Sequence, residues 1–445
     1  MKRVKVFIFF YLIGFFPSIS TYFLVTTPDI SNHATFHLQN ENSVSKYENP
    51  QNVTYKIETS LVLQNSIELG DYYFKNARVD NRTFDSQLTP RVPPYQISNC
   101  ESLNINGNTT SIQFQQDRFN NTYDSFNSTS LNEGSEITID YEYEVTLNEI
   151  LFDNITENDI GEYDQSEKIF DLYCNKSVEY FNTSDPDLIN RADSIVDSGD
   201  NPVEKAEKIF DWIIENIEYD ETLDEEKGAT YAYANRTGDC SEFSDLMVTL
   251  LRIQGIPARK VTGFVLTNNP LTELEEEQEW NYDLSYDSNS QTISSDNPYL
   301  GHAWIEYYVP QVGWIACDPT WGVQAEEQEE MDYFNRIDYL HFGTTVGSHI
   351  PYPPGENCSE FPFLPEPVVL IGGSEYLYEV NTKITILETN LSLSDREPEL
   401  WMIVLSIILV SAIIAGIIGT IVIIIKKVYK NDERHEVNTS ERSYM

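Results

Sequence analysis

The 445-residue chain carries 72 Asp and Glu against 28 Lys and Arg, a formal charge of -44 at pH 7. Such a chain repels a phosphate backbone, which excludes an ordinary nucleic-acid binder. At 40% hydrophobic and 13% aromatic residues it is still too apolar for an acidic disordered tail, and its length suits two or three domains, each able to bury a core.

Lys2, Arg3 and Lys5 open the chain, Val6 to Phe16 is apolar, and Ser18-Ile19-Ser20 offers small residues for cleavage. Residues 1–25 therefore read as a signal peptide, with an uncleaved signal anchor running through Val25 as the alternative. From 30 to 195 we expect a β-rich extracellular domain. Short β-branched and aromatic runs such as Val53 to Ile57 are divided by Asn, Gly, Pro and Ser clusters. Ile137, Ile139, Tyr141, Tyr143 and Val145 alternate with polar neighbours, as on a half-buried strand of a β-sandwich-like module.

Residue types change near Asp200. Asn201 can cap a helix, Pro202 suits its first position and Glu204 completes a capping box. Val203, Ala206, Ile209, Phe210, Ile213, Ile214 and Ile217 then recur at helical spacing and bury one stripe. A second helix follows Thr237-Gly238-Asp239, with Phe243, Leu246, Met247, Leu250 and Leu251 inward and Gly255 as its stop. Cys240 stands at its N-terminus, where unpaired N–H groups and the helix dipole favour a thiolate nucleophile. Such a thiol needs a histidine base held by a third polar group.

Between Asn268 and Leu300 the chain holds eight acids and no base, and no Lys or Arg occurs from Val261 to Asn335. This insertion reads as a solvated acidic loop; one bordering a cleft would attract cationic substrates. Gly301 to Val309 then reads as a strand, Pro310 to Gly313 as a turn and Trp314 to Asp318 as the returning strand. A hairpin centred on Pro310 sets Glu306 across from Trp314, Trp304 across from Ala316 and His302 across from Asp318. All six share one face, Cys317 points to the other, and a slip of one residue would undo the pairing.

Leu400 to Ile425 is uncharged for 26 positions, about 39 Å of helix, enough to cross a membrane with some tilt. Lys426, Lys427 and Lys430 follow it and Asp395, Glu397 and Glu399 precede it, which places the 426–445 tail in the cytoplasm and the acidic bulk outside. Three bases lie in the first five residues, and five bases with four acids in the last twenty, so the stretch between holds 20 bases and 68 acids, net -48. Glycosylation sequons at Asn52, Asn81, Asn108, Asn120, Asn127, Asn154, Asn175, Asn182, Asn235, Asn357 and Asn390 agree with an exported domain, and a twelfth, Asn438, falls in the tail.

Gly238-Asp239-Cys240, Gly255-Ile256-Pro257-Ala258-Arg259, Gly301-His302-Ala303-Trp304 and Gly313-Trp314-Ile315-Ala316-Cys317-Asp318-Pro319-Thr320 together resemble the transglutaminase-like superfamily in order and spacing. The resemblance spans about residues 200 to 350. It implies an α+β fold, a papain-like core over 196–355 preceded by the β domain, with a 356–399 extension leading to the transmembrane helix. It also implies a Cys240, His302, Asp318 triad working through a thioester on protein or peptide amides, as a cross-linking transferase or a peptidase; relatives that have lost activity make an idle binding or adhesion module the alternative. Trp304 and Trp321 would line the acyl channel or pack in the core, while Glu242 and Glu306 read as solvated or structural.

Five cysteines in an oxidising compartment leave one thiol over. Pairing Cys100 with Cys174 and Cys317 with Cys358 leaves Cys240. No cofactor is expected. No metal motif is present, since His341 and His349 lack partners at ligand spacing, and no loop specifies calcium.

Overall fold

The computed structural model describes residues 46–391 apart from 67–68, 83–90, 107–112, 176, 179, 224–225, 291, 299, 329–332, 348–367 and 372–374. The expected signal segment, the apolar 400–425 stretch, Cys358 and sequons Asn108, Asn357 and Asn438 lie outside these residues. Among the described residues no helix is long and apolar enough to cross a membrane.

The chain opens with β1 Asn52–Asn65, β2 Leu69–Ala77, β3 Gln96–Asn106, β4 Gln113–Gln116, β5 Thr122–Asn132, β6 Glu136–Asn148 and β7 Ile150–Leu151. Helices Lys168–Tyr173, Pro186–Ile195, Pro202–Asn216, Gly228–Asn235 and Cys240–Ile253 follow, with β8 Glu218–Tyr219 and β9 Thr237–Gly238 among them. Next come β10 Ala258–Val265, β11 Glu279–Asp287, β12 Thr292–Ser294, β13 Leu300–Val309 and β14 Gly313–Cys317. Helix Pro319–Gln328, β15 Arg336–Ile337, β16 His341–Gly347, β17 Val368–Ile371 and β18 Tyr376–Asn390 complete the order.

Three larger sheets result, in strand order β12-β11-β18-β1-β6-β3, β14-β13-β10-β16 and β17-β2-β5-β4. In the first, the alternation seen in sequence is realised: Leu61 faces Ile139 and Ile57 faces Tyr143 across β1 and β6, and all four are buried. Their core continues into Phe264, Trp321, Tyr333 and Phe342, so this sheet lies against the end of the second sheet where the site is built.

Two expectations about this region are corrected. Residues 356–399, expected as an extension and juxtamembrane linker, supply β18, which pairs with β1 from Asn52 opposite Asn390 to Asn65 opposite Tyr376. Val380, Thr382, Ile384 and Ile386 point inward, the same period-two pattern as β1. The acidic insertion is not merely a solvated loop: β11 pairs with β18 and β12 folds back on β11, while Glu273, Glu275, Glu276, Glu277 and Glu279 stay exposed.

The second sheet and its helices form the mixed α and β core. Asn201 accepts from the Val203 and Glu204 N–H groups and Glu204 returns to the Asn201 N–H, so the helix begins where its capping box predicts. The Cys240–Ile253 helix is buried from Glu242 to Arg252, polar positions included. It is tied to β10 by a 2.9 Å ion pair between buried Lys260 and Asp245 and by the Arg252 Nε donating to the Ala258 carbonyl at 2.9 Å. Gly255 takes a φ of 77° just past the helix, a left-handed stop that a side chain would strain.

Candidate active site

Asp239 caps the Cys240 helix, its carboxylate accepting from the Ser241 N–H at 2.7 Å. Glu242 closes the box, Oε2 accepting from the Asp239 N–H and Oε1 from the Lys227 N–H at 2.6 Å. Glu242 is thus buried and structural. Burial and then the charge of Glu242 push the Asp239 carboxyl upward. Cys240 is half-buried at the helix head.

His302 comes from β13. The hairpin register differs from the expected one: Ile305 faces Cys317, Tyr307 faces Ile315 and Val309 faces Gly313. The loop is longer than a tight turn, with Gln311 at φ 68° and Gly313 at φ 122°. This displaces the pairing by two residues, not one, so every side chain keeps its face. Asp318 stands one residue beyond β14 and reaches His302 diagonally, with Oδ2 2.7 Å from Nε2. Its other oxygen accepts from the Thr320 and Trp321 N–H groups at 2.9 and 3.0 Å, capping the helix that follows.

The Cys240 thiol stands close enough to the same imidazole to act on its charge. With Nε2 taken by Asp318, Nδ1 is the nitrogen left for sulfur. Burial alone would lower the His302 pKa, but the charge and hydrogen bond of Asp318, and then Cys240, raise it to about 9. Asp318, despite complete burial, is held below the usual carboxylate range by His302 and then His341. The structure therefore brings the three expected residues together.

Cys317 is on the opposite face, its sulfur 3.3 Å from the Asn335 N–H and buried away from His302. The expected Cys100–Cys174 disulfide is absent. Both are thiols: Cys100 lies half-buried on β3, and Cys174 is buried against the Arg252 carbonyl at 3.6 Å. The two lie on different elements, β3 and the end of the Lys168–Tyr173 helix, a separation that cysteine counting does not see.

Trp304 and Trp321 are each 2% exposed. The Trp321 ring lies 4.5 Å from His341 and 5.9 Å from His302, and Trp304 lies 5.2 and 6.1 Å from the same two rings. They wall the imidazoles in. Glu306 is fully buried in an ion-paired cluster described below. Of the sequons, Asn81, Asn154, Asn175, Asn235 and Asn390 are exposed, and Asn52, Asn120 and Asn182 are half-buried.

One residue of the site was missed. His341, judged partnerless, puts Nε2 3.1 Å from Asp318 Oδ2 and Nδ1 2.6 Å from Asp338 Oδ1. Its sequence signal is slight: Asp338 precedes it by three residues, while Asp318 lies 23 away. Among the described residues, His302, Asp318 and His341 are the group whose ligand atoms, within 4.8 Å of one another, could hold a metal. Those atoms already satisfy each other at hydrogen-bond distance, so the cluster is first a proton network.

Residues 189–319 match the family model of the transglutaminase-like superfamily, so the chain carries a domain of that superfamily. The uncharacterized protein YebA of Bacillus subtilis is 30% identical over 130 residues, 28% of this chain and 16% of that protein. A protein-glutamine gamma-glutamyltransferase of Pseudomonas aeruginosa is 32% identical over 101 residues, 22% of this chain and 12% of that one. The match thus spans under a fifth of either relative. A solved structure from Cytophaga hutchinsonii is 17% identical at a TM-score of 0.47, covering 78% of this chain and 94% of that one.

Proposed function

We propose that the protein is a thiol acyl-transfer enzyme acting on protein or peptide amides through a thioester. What supports this most is one imidazole, His302, bonded to Asp318 through Nε2 and close enough to the Cys240 thiol for the two to act on each other. Asp318 stabilises the imidazolium that forms when Cys240 gives up its proton. The thiolate attacks the amide carbonyl carbon, and the oxyanion is received by the Cys240 N–H at the helix head. His302 passes its Nδ1 proton to the departing amine or ammonia, leaving a thioester. A lysine amine or water then attacks, giving its proton back to His302, and the thiolate is released.

Two finer statements belong to the same proposal. Transfer from glutamine carboxamides is favoured by the Pseudomonas relative, which is named for that reaction. The exposed acids of the 268–300 insertion favour cationic acceptors, and the acidic bulk, the sequons and the 400–425 stretch favour display outside a cell membrane. Shaving intact cells with protease should remove the domain if it is displayed; full protection would exclude that location.

The deciding assay measures ammonia released from glutamine peptides, with and without iodoacetamide, in wild type and Cys240→Ala. Release that falls at least about 10³-fold in the variant establishes the thioester route. Peptide cleavage without ammonia makes the protein a peptidase, and neither product leaves a binding module. A lysine-like acceptor and a neutral one run side by side test charge selection, and equal KM values would remove it.

A further inference from the structure

Both ring nitrogens of His341 face carboxylate oxygens, at 2.6 Å to Asp338 and 3.1 Å to Asp318. An ionised carboxylate only accepts, so each nitrogen must carry a proton and the ring is an imidazolium. All three groups are buried, with Asp318 fully excluded from solvent. Asp318 receives both imidazoles on the same oxygen, Oδ2, at 2.7 and 3.1 Å, because its other oxygen is occupied by backbone donors. One carboxylate charge is thus divided between two rings whose centroids are 5.5 Å apart.

We propose that His341, held cationic by Asp338, is a positioning residue that divides the Asp318 charge between itself and His302 and so sets the pH at which the His302 imidazolium gives up its proton. This rests on Cys240 and His302 being the reactive pair. Burial would strip His341 of its proton, and Asp338, then Asp318, outweigh it, raising its pKa to about 9. Among the described residues, a small set of other charged or titratable groups surrounds it. Tyr333 donates to Asp338 at 2.7 Å, and Tyr55 lies near the same carboxylate. Arg336 and Glu149, which also act on Asp338, form an ion pair and offset each other. Cys240 and Asp239 stand at the helix head, and Tyr219 acts on both and on Asp318. Trp304 and Trp321 keep water from screening the cluster.

A cation at 341 draws on the Asp318 charge and repels a proton on His302. Removing it therefore leaves His302 protonated to higher pH. Two measurements on the whole chain test this. In 15N-histidine-labelled wild type, the ring signals of His341 should show both nitrogens protonated at pH 7 to 8; a neutral tautomer there would overturn the proposal without any variant. In His341→Gln, the ring 15N signals of His302, followed against pH, should show its titration shifted upward by about one unit. An unmoved His302 titration in a variant that melts cooperatively refutes it. Neither readout needs a substrate, so a chain that turns over no amide sinks the enzymatic reading alone.

Discussion

A carboxylate bonded to one nitrogen of an imidazole fixes both the ring and its tautomer, which is what a base that must later act as acid requires. The same grip makes stability depend on pH. His302 and His341 both have folded values raised to about 9 from an ordinary 6.5. A group raised on folding stabilises fully below its unfolded value, and that stabilisation is lost as pH climbs through the folded one. Thermal melts should therefore weaken between about pH 6.5 and about 9, and a melting temperature that holds level or rises across that interval would contradict the two buried cations. Asp318 and Asp338, lowered on folding, act oppositely, and their contribution is lost only in acid. Cys240 could be read from sequence because a cap, a glycine and an apolar stripe lie around it. His341 could not, since what defines it is a carboxylate 23 residues back and the folding of β16 beside β10.

Strands carry these side chains, and a strand's information is its parity. The hairpin between β13 and β14 closed two residues away from the expected register, yet His302 and Asp318 still met, because an even displacement preserves the face. A longer loop with Gln311 in the left-handed region was not visible in the pattern, whereas the alternation was. The neighbouring pair β10 and β16 is less forgiving. Gly263 lies opposite His302 on one side and Gly343 on the other, and a Cβ on Gly263 would fall 1.7 Å from the Phe342 carbonyl oxygen. Backbone cannot yield there as a flexible side chain would. Gly263→Ala should push β16 and His341 away from β13, costing about 1–3 kcal/mol in urea unfolding and slowing Cys240 alkylation at neutral pH. A variant with wild-type unfolding and alkylation would show that the two strands tolerate separation.

At the scale of the whole molecule the sequence was least informative, because the first sheet joins β1 to β18 across more than 300 residues and takes its edge from the insertion. Pattern reveals that a strand exists and which face is buried, but pairing over such distances depends on the collapsed core. The N-terminal half also reaches directly into the second sheet. Tyr95 accepts from the Ala316 N–H at 3.0 Å and donates to the Trp314 carbonyl at 2.6 Å. Arg82 donates to Glu306 Oε1 at 2.6 Å, while Arg259 meets Oε2 through Nε at 2.7 Å and through Nη2 at 2.6 Å. Glu306 is buried between these two guanidiniums, which hold its carboxyl below the usual range against the opposing pull of burial. Losing the shared anion leaves two buried cations facing each other, whereas losing Arg82 leaves the two-point contact with Arg259 intact. Glu306→Ala should therefore cost about 3–5 kcal/mol in denaturant unfolding, and Arg82→Ala only about 1–3 kcal/mol. Equal costs, or a costlier Arg82→Ala, would mean that Glu306 is held mainly from the N-terminal half and that the second sheet owes its alignment to that half.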